Sequence, residues 1–230
     1  MNKLKIFSIG ACVALCMGFA SCENDEPGSP IVDEYGISLT QEVDLGLPSG
    51  LIWAGWNVGA SSPEQYGGYY AWGELEEKDD YTLSNYHYYN DKNNDGKLDK
   101  ETEYEYLGDE ISGTQYDVAR HKWGNDWRLP THDELDELIT NCTFTWMTYE
   151  GVNGCKVTGP NGNSVFFPAA GTIANGYRNH ETTIGWYVSG TFTTEDLPLV
   201  SMLRASESSH DISYSIVRYA GYTVRPVKSK

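Results

Sequence analysis

Apolar residues in this chain change their spacing several times, and the clearest change falls just after Pro130. Leu135, Leu138 and Ile139 recur at helical intervals, with Asp133, Glu134, Asp136 and Glu137 between and before them. Thr131 stands where an N-cap belongs and Glu134 lies three residues on, so the two side chains can form a reciprocal capping box. The early carboxylates also sit near the positive end of the helix dipole. This pattern predicts a helix opening at Thr131, with Trp127, Leu129, Leu135, Leu138 and Ile139 buried.

Elsewhere the apolar positions come in short runs bounded by turn residues, which predicts strands. Gly36 to Thr40 reads as an entry strand. The turn-rich stretch Val43 to Gly50 leads into the run from Leu51 to Ala60, and Gly68 to Glu74 follows. Thr143-Phe144-Thr145-Trp146 opens a hairpin that turns somewhere between Glu150 and Gly154. Gly154 to Thr158 and Ser164 to Pro168 flank Gly159-Pro160-Asn161-Gly162-Asn163, a hairpin signal because Asn-Gly tolerates positive φ. Gly185 to Ser189, Ser213 to Val217 and Tyr222 to Val227 complete the set.

The first residues follow another pattern. Lys3 and Lys5 precede an apolar run from Ile6 to Ala20, too short to span a bilayer comfortably and ending in Phe19-Ala20-Ser21-Cys22. Small residues before a cysteine resemble the lipobox of bacterial lipoproteins. That resemblance implies removal of residues 1–21 as a signal peptide and acylation of Cys22, with an ordinary secretory peptide as the alternative. Residues 22–35, opening with Glu23-Asn24-Asp25-Glu26-Pro27-Gly28-Ser29-Pro30, read as a disordered acidic tether. Acidic residues behind an acylated cysteine also resemble the surface-export signal of Bacteroides-group lipoproteins. Residues 36–230 are then one domain.

Charge narrows the partners. The chain carries a formal charge of -17, which becomes -19 once Lys3 and Lys5 leave with the leader, and this argues against nucleic acid or anionic lipid as partner of a basic face. Membrane contact is expected through the lipid anchor alone. Seventeen Tyr, seven Trp and twenty-four Gly point to a strand- and loop-rich domain rather than a helical bundle. Of five cysteines, Cys12 and Cys16 leave with the leader and Cys22 would be acylated. Cys142 and Cys155 are left as a possible disulfide. A turn centred on Glu150-Gly151 would put Cys142 opposite Gly159 rather than Cys155, so a bridge needs a shifted turn or a bulge.

Two stretches carry candidate chemistry. Asp91, Asn93, Asp95 and Asp99 place oxygen donors at positions 1, 3, 5 and 9 of a calcium loop, with Gly96 for the turn and the Lys97 carbonyl at position 7. Position 12 is Thr102, where the usual bidentate Glu is missing, so an acidic hairpin turn is the alternative to a Ca2+ site. Tyr86, Tyr88 and Tyr89 bracket this loop and are candidate ligand-binding aromatics, with packing as the competing use. There is no Gly-x-Ser-x-Gly, phosphate loop, His-Glu-x-x-His or Cys-x-x-Cys.

A succession of motifs extends the reading to a family. Val43-Asp44-Leu45-Gly46-Leu47-Pro48-Ser49-Gly50, Asn57-Val58-Gly59-Ala60, Ala71-Trp72-Gly73-Glu74, Trp123 to Thr131, Thr158 to Ser164, Pro168-Ala169-Ala170-Gly171 and Thr223-Val224-Arg225-Pro226 together resemble the Fibrobacter succinogenes major paralogous domain. That group is abundant in Bacteroides surface lipoproteins. The resemblance implies an α+β, C-type-lectin-like fold related to the formylglycine-generating enzymes: twisted antiparallel strands, few short helices, long loops, and chain ends close together. The enzymatic relatives act through C-terminal cysteines, and here none follows Cys155. The lectin relatives use a Glu-Pro-Asn or Gln-Pro-Asp loop that this chain lacks. The expectation is a non-enzymatic, surface-exposed outer-membrane lipoprotein that binds an unidentified glycan or protein. A carboxylate-based enzyme or the structural tip subunit of a surface appendage are the alternatives.

Overall fold

The computed structural model describes residues 31–91, 102–124, 126–193, 199–215 and 217–230. Its elements, in chain order, are β1 (Glu42–Asp44), β2 (Ile52–Ala54), β3 (Tyr89–Asp91), β4 (Thr102–Tyr104), α1 (Val118–Trp123), α2 (His132–Asn141), β5 (Thr143–Tyr149) and β6 (Val152–Thr158). They continue as β7 (Ser164–Pro168), β8 (Thr172–Ala174), β9 (Tyr177–Asn179), β10 (Ile184–Thr193), β11 (Leu199–Ser206), β12 (His210–Ser215) and β13 (Val227–Lys228). The strands form three-stranded sheets β1-β2-β13, β5-β6-β7 and β10-β11-β12, with β3-β4 and β8-β9 as separate pairs. All these pairings are antiparallel. The fold is α+β and mostly β. Among the described residues no helix is long and apolar enough to cross a membrane.

Helix α2 forms as its sequence dictates. The Glu134 amide donates to Thr131 Oγ1 at 3.3 Å, and the Thr131 amide donates back to Glu134 Oε2 at 2.9 Å. Arg128 clamps the same carboxylate, its Nη1 2.7 Å from Oε2. Leu135 and Leu138 enter a core shared by Val43 and Trp53 from the first sheet, Phe167 from β7, and Tyr187 and Leu203 from the β10-β11-β12 sheet. Burying each such leucine is worth about 1.5–3 kcal/mol, so this one helix face ties three sheets together. Trp127 and Leu129 are buried as expected, but Ile139 is only half-buried, at the edge of that core.

Hairpins supply the next layer. Glu150 (φ 48°) and Gly151 (φ 80°) form the two-residue turn between β5 and β6, both in the left-handed region that such turns require. The register then runs from Tyr149 opposite Val152 to Thr143 opposite Thr158. Gly159 packs so tightly that a Cβ would lie 2.0 Å from the Leu45 carbonyl oxygen. Asn161 and Asn163 in the same loop each donate through Nδ2 to the Asp44 carbonyl, both at 2.8 Å. Two of the recognised motifs are therefore one structural joint.

Another joint explains the C-terminal motif. Arg225 is fully buried, its Nε donating to Asn57 Oδ1 at 2.8 Å, Nη1 to the Ala54 carbonyl at 3.0 Å and Nη2 to the Phe166 carbonyl at 2.6 Å. Burial pulls its pKa down to about 10. Strand β13 lies against β2 in the sheet that also holds β1, so both ends of the folded chain share one sheet. Lys228 pairs with Glu42 across it.

Several expectations need correcting. Residues 36–40 form no strand; they close a turn through a single bridge between Val32 and Ser38. Asp33 Oδ1 holds that turn by accepting from the Tyr35 and Ile37 amides, both at 2.9 Å, so folded chain begins before residue 36. Residues 68–74 are held by one bridge, Tyr70 to Tyr222, and by the Trp72 amide on the Arg218 carbonyl. The last strand is shorter than expected, and β12 begins earlier and stops at Ser215. Helix α1 had no clear apolar period to announce it. Its N-cap Asp117 accepts from Ala119 and Arg120 within the helix and from Gly113 and Leu129 outside it. Burial raises the Asp117 carboxyl and these four amide bonds oppose the rise.

Candidate ligand-binding cleft

The residues singled out from sequence are dispersed by the fold. Cys22 lies outside the described residues, as do Asn93, Asp95, Lys97 and Asp99. Asp91 ends β3 opposite Thr102, so the calcium loop would spring from an antiparallel pair, and the calcium expectation itself falls outside what is described. Cys142 and Cys155 are free thiols. The turn at Glu150-Gly151 pairs Cys155 with Trp146 and leaves Cys142 capping α2, so no disulfide links them. Burial pushes the two thiols up to about 11 and about 12.

Tyr86, Tyr88 and Tyr89 pack rather than project. Tyr86 is 3 % exposed and donates its hydroxyl to the Trp72 carbonyl at 2.7 Å. Its ring meets Tyr88 and Tyr104 edge-on at 5.8 and 5.7 Å, and Tyr88 meets Tyr116 in the same way. Tyr88 and Tyr89 are half-buried in this cluster. Burial raises the hydroxyl pKa of Tyr86 strongly and that of Tyr88 as well. Tyr86 is therefore not available to a ligand, which corrects its assignment as a recognition residue.

An open site lies elsewhere, between the β8-β9 hairpin and one face of the β10-β11-β12 sheet. The register places Val188, Met202 and Ser213 side by side across the three strands, with Trp186, Arg204 and Asp211 in the adjacent row. Over this face opens a cleft of about 290 Å³, floored by Trp186, Met202 and Ser213 and edged by Tyr214. Thr172, Ala174 and Asn179 from the hairpin form the opposite wall, with His180 beyond them. The base is firm: the Tyr222 hydroxyl donates to the Val217 carbonyl at 2.9 Å.

Two features of the cleft are energetically unusual. The Trp186 side chain is half-buried, yet its Nε1 is buried and has no hydrogen-bond partner. A buried orphaned donor of this kind costs about 1–3 kcal/mol. The wall loop is also strained: His180 (φ 60°) and Thr182 (φ 69°) both hold left-handed backbone without being glycine. For a β-branched residue such as Thr182 that conformation is a true outlier. It is imposed from outside, since the Thr182 amide donates to the Ala169 carbonyl at 2.8 Å and its carbonyl accepts from Asn153 Nδ2 at 3.1 Å. Gly171 makes the close packing behind this loop possible, for a Cβ there would lie 2.2 Å from the Asn179 carbonyl.

Among the described residues, no carboxylate lines the cleft. The buried acids are occupied elsewhere: Glu74 pairs with Lys78 and accepts from the His87 amide at 2.7 Å, and Asp117 caps α1. The half-buried Glu110 accepts from Thr191 Oγ1 at 2.6 Å and from the Ser112 amide, while Glu134 is held by Arg128. Among the described residues, no three His, Cys, Asp or Glu side chains come together in a way that could hold a metal ion. Comparison with family models, curated proteins and solved structures returned no match.

Sequence reasoning placed Trp186 on a strand but could not mark it. Period-2 alternation separates Trp186 from inward-facing Tyr187, yet it does not say which layer covers Trp186. The strain at His180 and Thr182 leaves no sign in the sequence, because neither is a residue that announces positive φ.

Proposed function

We propose that this chain is a non-enzymatic binding or adhesion module, carried at the outer-membrane surface by lipid on Cys22 and contacting its glycan or protein ligand through the Trp186 cleft. The cleft carries the proposal. It joins an aromatic floor and a strained wall in one concavity, and strained backbone of this sort clusters at ligand clamps. The fold behind it is C-type-lectin-like on this reading. Supporting that are the shared sheet of the two chain ends, the short helices against antiparallel sheets, and the irregular connections between them. The acidic balance of the chain agrees with a partner other than nucleic acid.

The test is an array of glycans and proteins probed with the mature chain, with and without calcium, beside Trp186→Ala. Binding by the wild type that the variant loses supports the cleft; equal binding by both removes it. Anchoring is tested separately. Cys22→Ser should leave the membrane fraction and fail to take up a palmitate analogue, and equal membrane association of the two forms would end the lipoprotein reading.

A further inference from the structure

The chemistry of the cleft is neutral in a chain of charge -17. Its polar groups include the hydroxyls of Thr172, Ser213, Tyr214 and Ser215, the amide of Asn179 and the imidazole of His180, set against the apolar surfaces of Trp186 and Met202. Arg204 and Asp211, in the Trp186 row of the sheet, are bound to each other, with Arg204 Nε 3.1 Å from Asp211 Oδ1. An ionic ligand therefore meets no free counter-charge. A hydrocarbon ligand would cover the hydroxyls and the amide without bonding them. A peptide added as a strand would use the edge of β12, of which Ser213, Tyr214 and Ser215 reach the cleft, whereas Trp186 and Met202 meet it as side chains over a sheet face.

One ligand class meets all of these conditions. A sugar ring offers a C–H face to an aromatic side chain and oxygen atoms to donors and acceptors around its rim. We infer that the cleft holds an uncharged sugar residue, the terminal unit of a glycan, bound without calcium because the described lining residues include no carboxylate to hold the ion. This rests on the cleft being the ligand site proposed above. The volume of about 290 Å³ suits the end of a glycan rather than a long stretch of it. Trp186 supplies the stacking surface, and the strained loop holds His180 at the rim.

The mature chain is titrated with glucose, galactose, N-acetylglucosamine and N-acetylgalactosamine, and with glucuronic acid as the charged control, all in EDTA. At least one neutral sugar should saturate at millimolar concentration, and glucuronic acid should not. Trp186→Ala and His180→Gly should each weaken that binding about tenfold, the scale of one lost contact. Glycine adopts the backbone of residue 180 without strain, so His180→Gly tests the imidazole in a chain that still folds. Failure of every neutral sugar to saturate overturns the inference, as does equal binding of glucuronic acid or unchanged binding by both variants. If no sugar binds but a peptide from the protein array binds the wild type and not Trp186→Ala, the sugar falls while the cleft stands. A ligand that binds Trp186→Ala unchanged removes both.

Discussion

Two aromatic regions of this molecule look alike in composition and behave oppositely. Around Tyr86, the rings of Trp72, Tyr88, Tyr104 and Phe192 close on one another, and Tyr86 gives its hydroxyl to a carbonyl. Even the buried Arg218 is absorbed there, its guanidinium 3.9 Å from the centre of Phe192, 4.6 Å from Tyr104 and 5.1 Å from Trp72. Burial lowers its pKa, and three ring faces stand in for the counter-ion that desolvation calls for. Around Trp186 the indole donor has no partner and a cleft stands open. Density of aromatic residues thus says little about recognition, and unmet donors occur in both regions, Arg218 Nε and Nη1 among them; what differs is the open face beside Trp186.

The sharpest way to break this contrast is truncation on each side. Tyr86→Ala should cost about 3–5 kcal/mol of unfolding free energy, as expected for a large buried ring, and leave any cleft ligand bound by the fraction still folded. Trp186→Ala should cost much less, since its side chain is half-buried and forms no side-chain hydrogen bond through Nε1. Denaturant melts of the two variants decide it. Comparable losses would mean that Trp186 is packing too.

A smaller effect concerns the frame that positions both regions. Burial works to raise the Glu134 carboxyl, but the Arg128 guanidinium and the Thr131 amide outweigh it and hold the carboxyl below its ordinary value of 4.5. A depressed carboxylate pKa stabilises the fold above the unfolded value, and that stability is lost as pH falls through the folded one. Glu134→Gln should therefore flatten the decline in stability below pH 4.5, whereas an unchanged acid limb would show the pair to be idle. Thr131→Ala should remove about 1 kcal/mol, the usual weight of an N-cap, and no shift in unfolding midpoint would place the helix start elsewhere.

That frame is also what the sequence made legible. The capping box, the Leu135 and Leu138 face and the hairpin around Asn161-Gly162 are local patterns, decided by residues within a few positions of each other. Arg225 and Asp117 are different. Arg225 answers Ala54, Asn57 and Phe166, and Asp117 answers Gly113 and Leu129, so their partners are named only once the chain has folded. The cleft is less legible again, because it is made by the absence of a covering layer over Trp186. The tyrosines misled for the same reason: a run of rings beside a loop looks open until the strands that close over it are known.

The smallest expected effect probes the cleft wall. Thr182 holds φ 69° because Ala169 and Asn153 grip its backbone from both sides, and a β-branched residue pays for that shape in steric strain. Thr182→Gly should relieve the strain and raise stability by up to about 1 kcal/mol, less the extra entropy that glycine loses on folding. Glu150 is the control. It too holds positive φ, at 48°, in a hairpin turn that does not itself line the cleft. Glu150→Gly should change stability on a similar scale and leave ligand binding alone. If Thr182→Gly gains stability while losing affinity, the wall is held out of its relaxed shape for the sake of the ligand. If both variants gain stability and neither changes affinity, the strain at 182 is only a by-product of packing the β8-β9 hairpin.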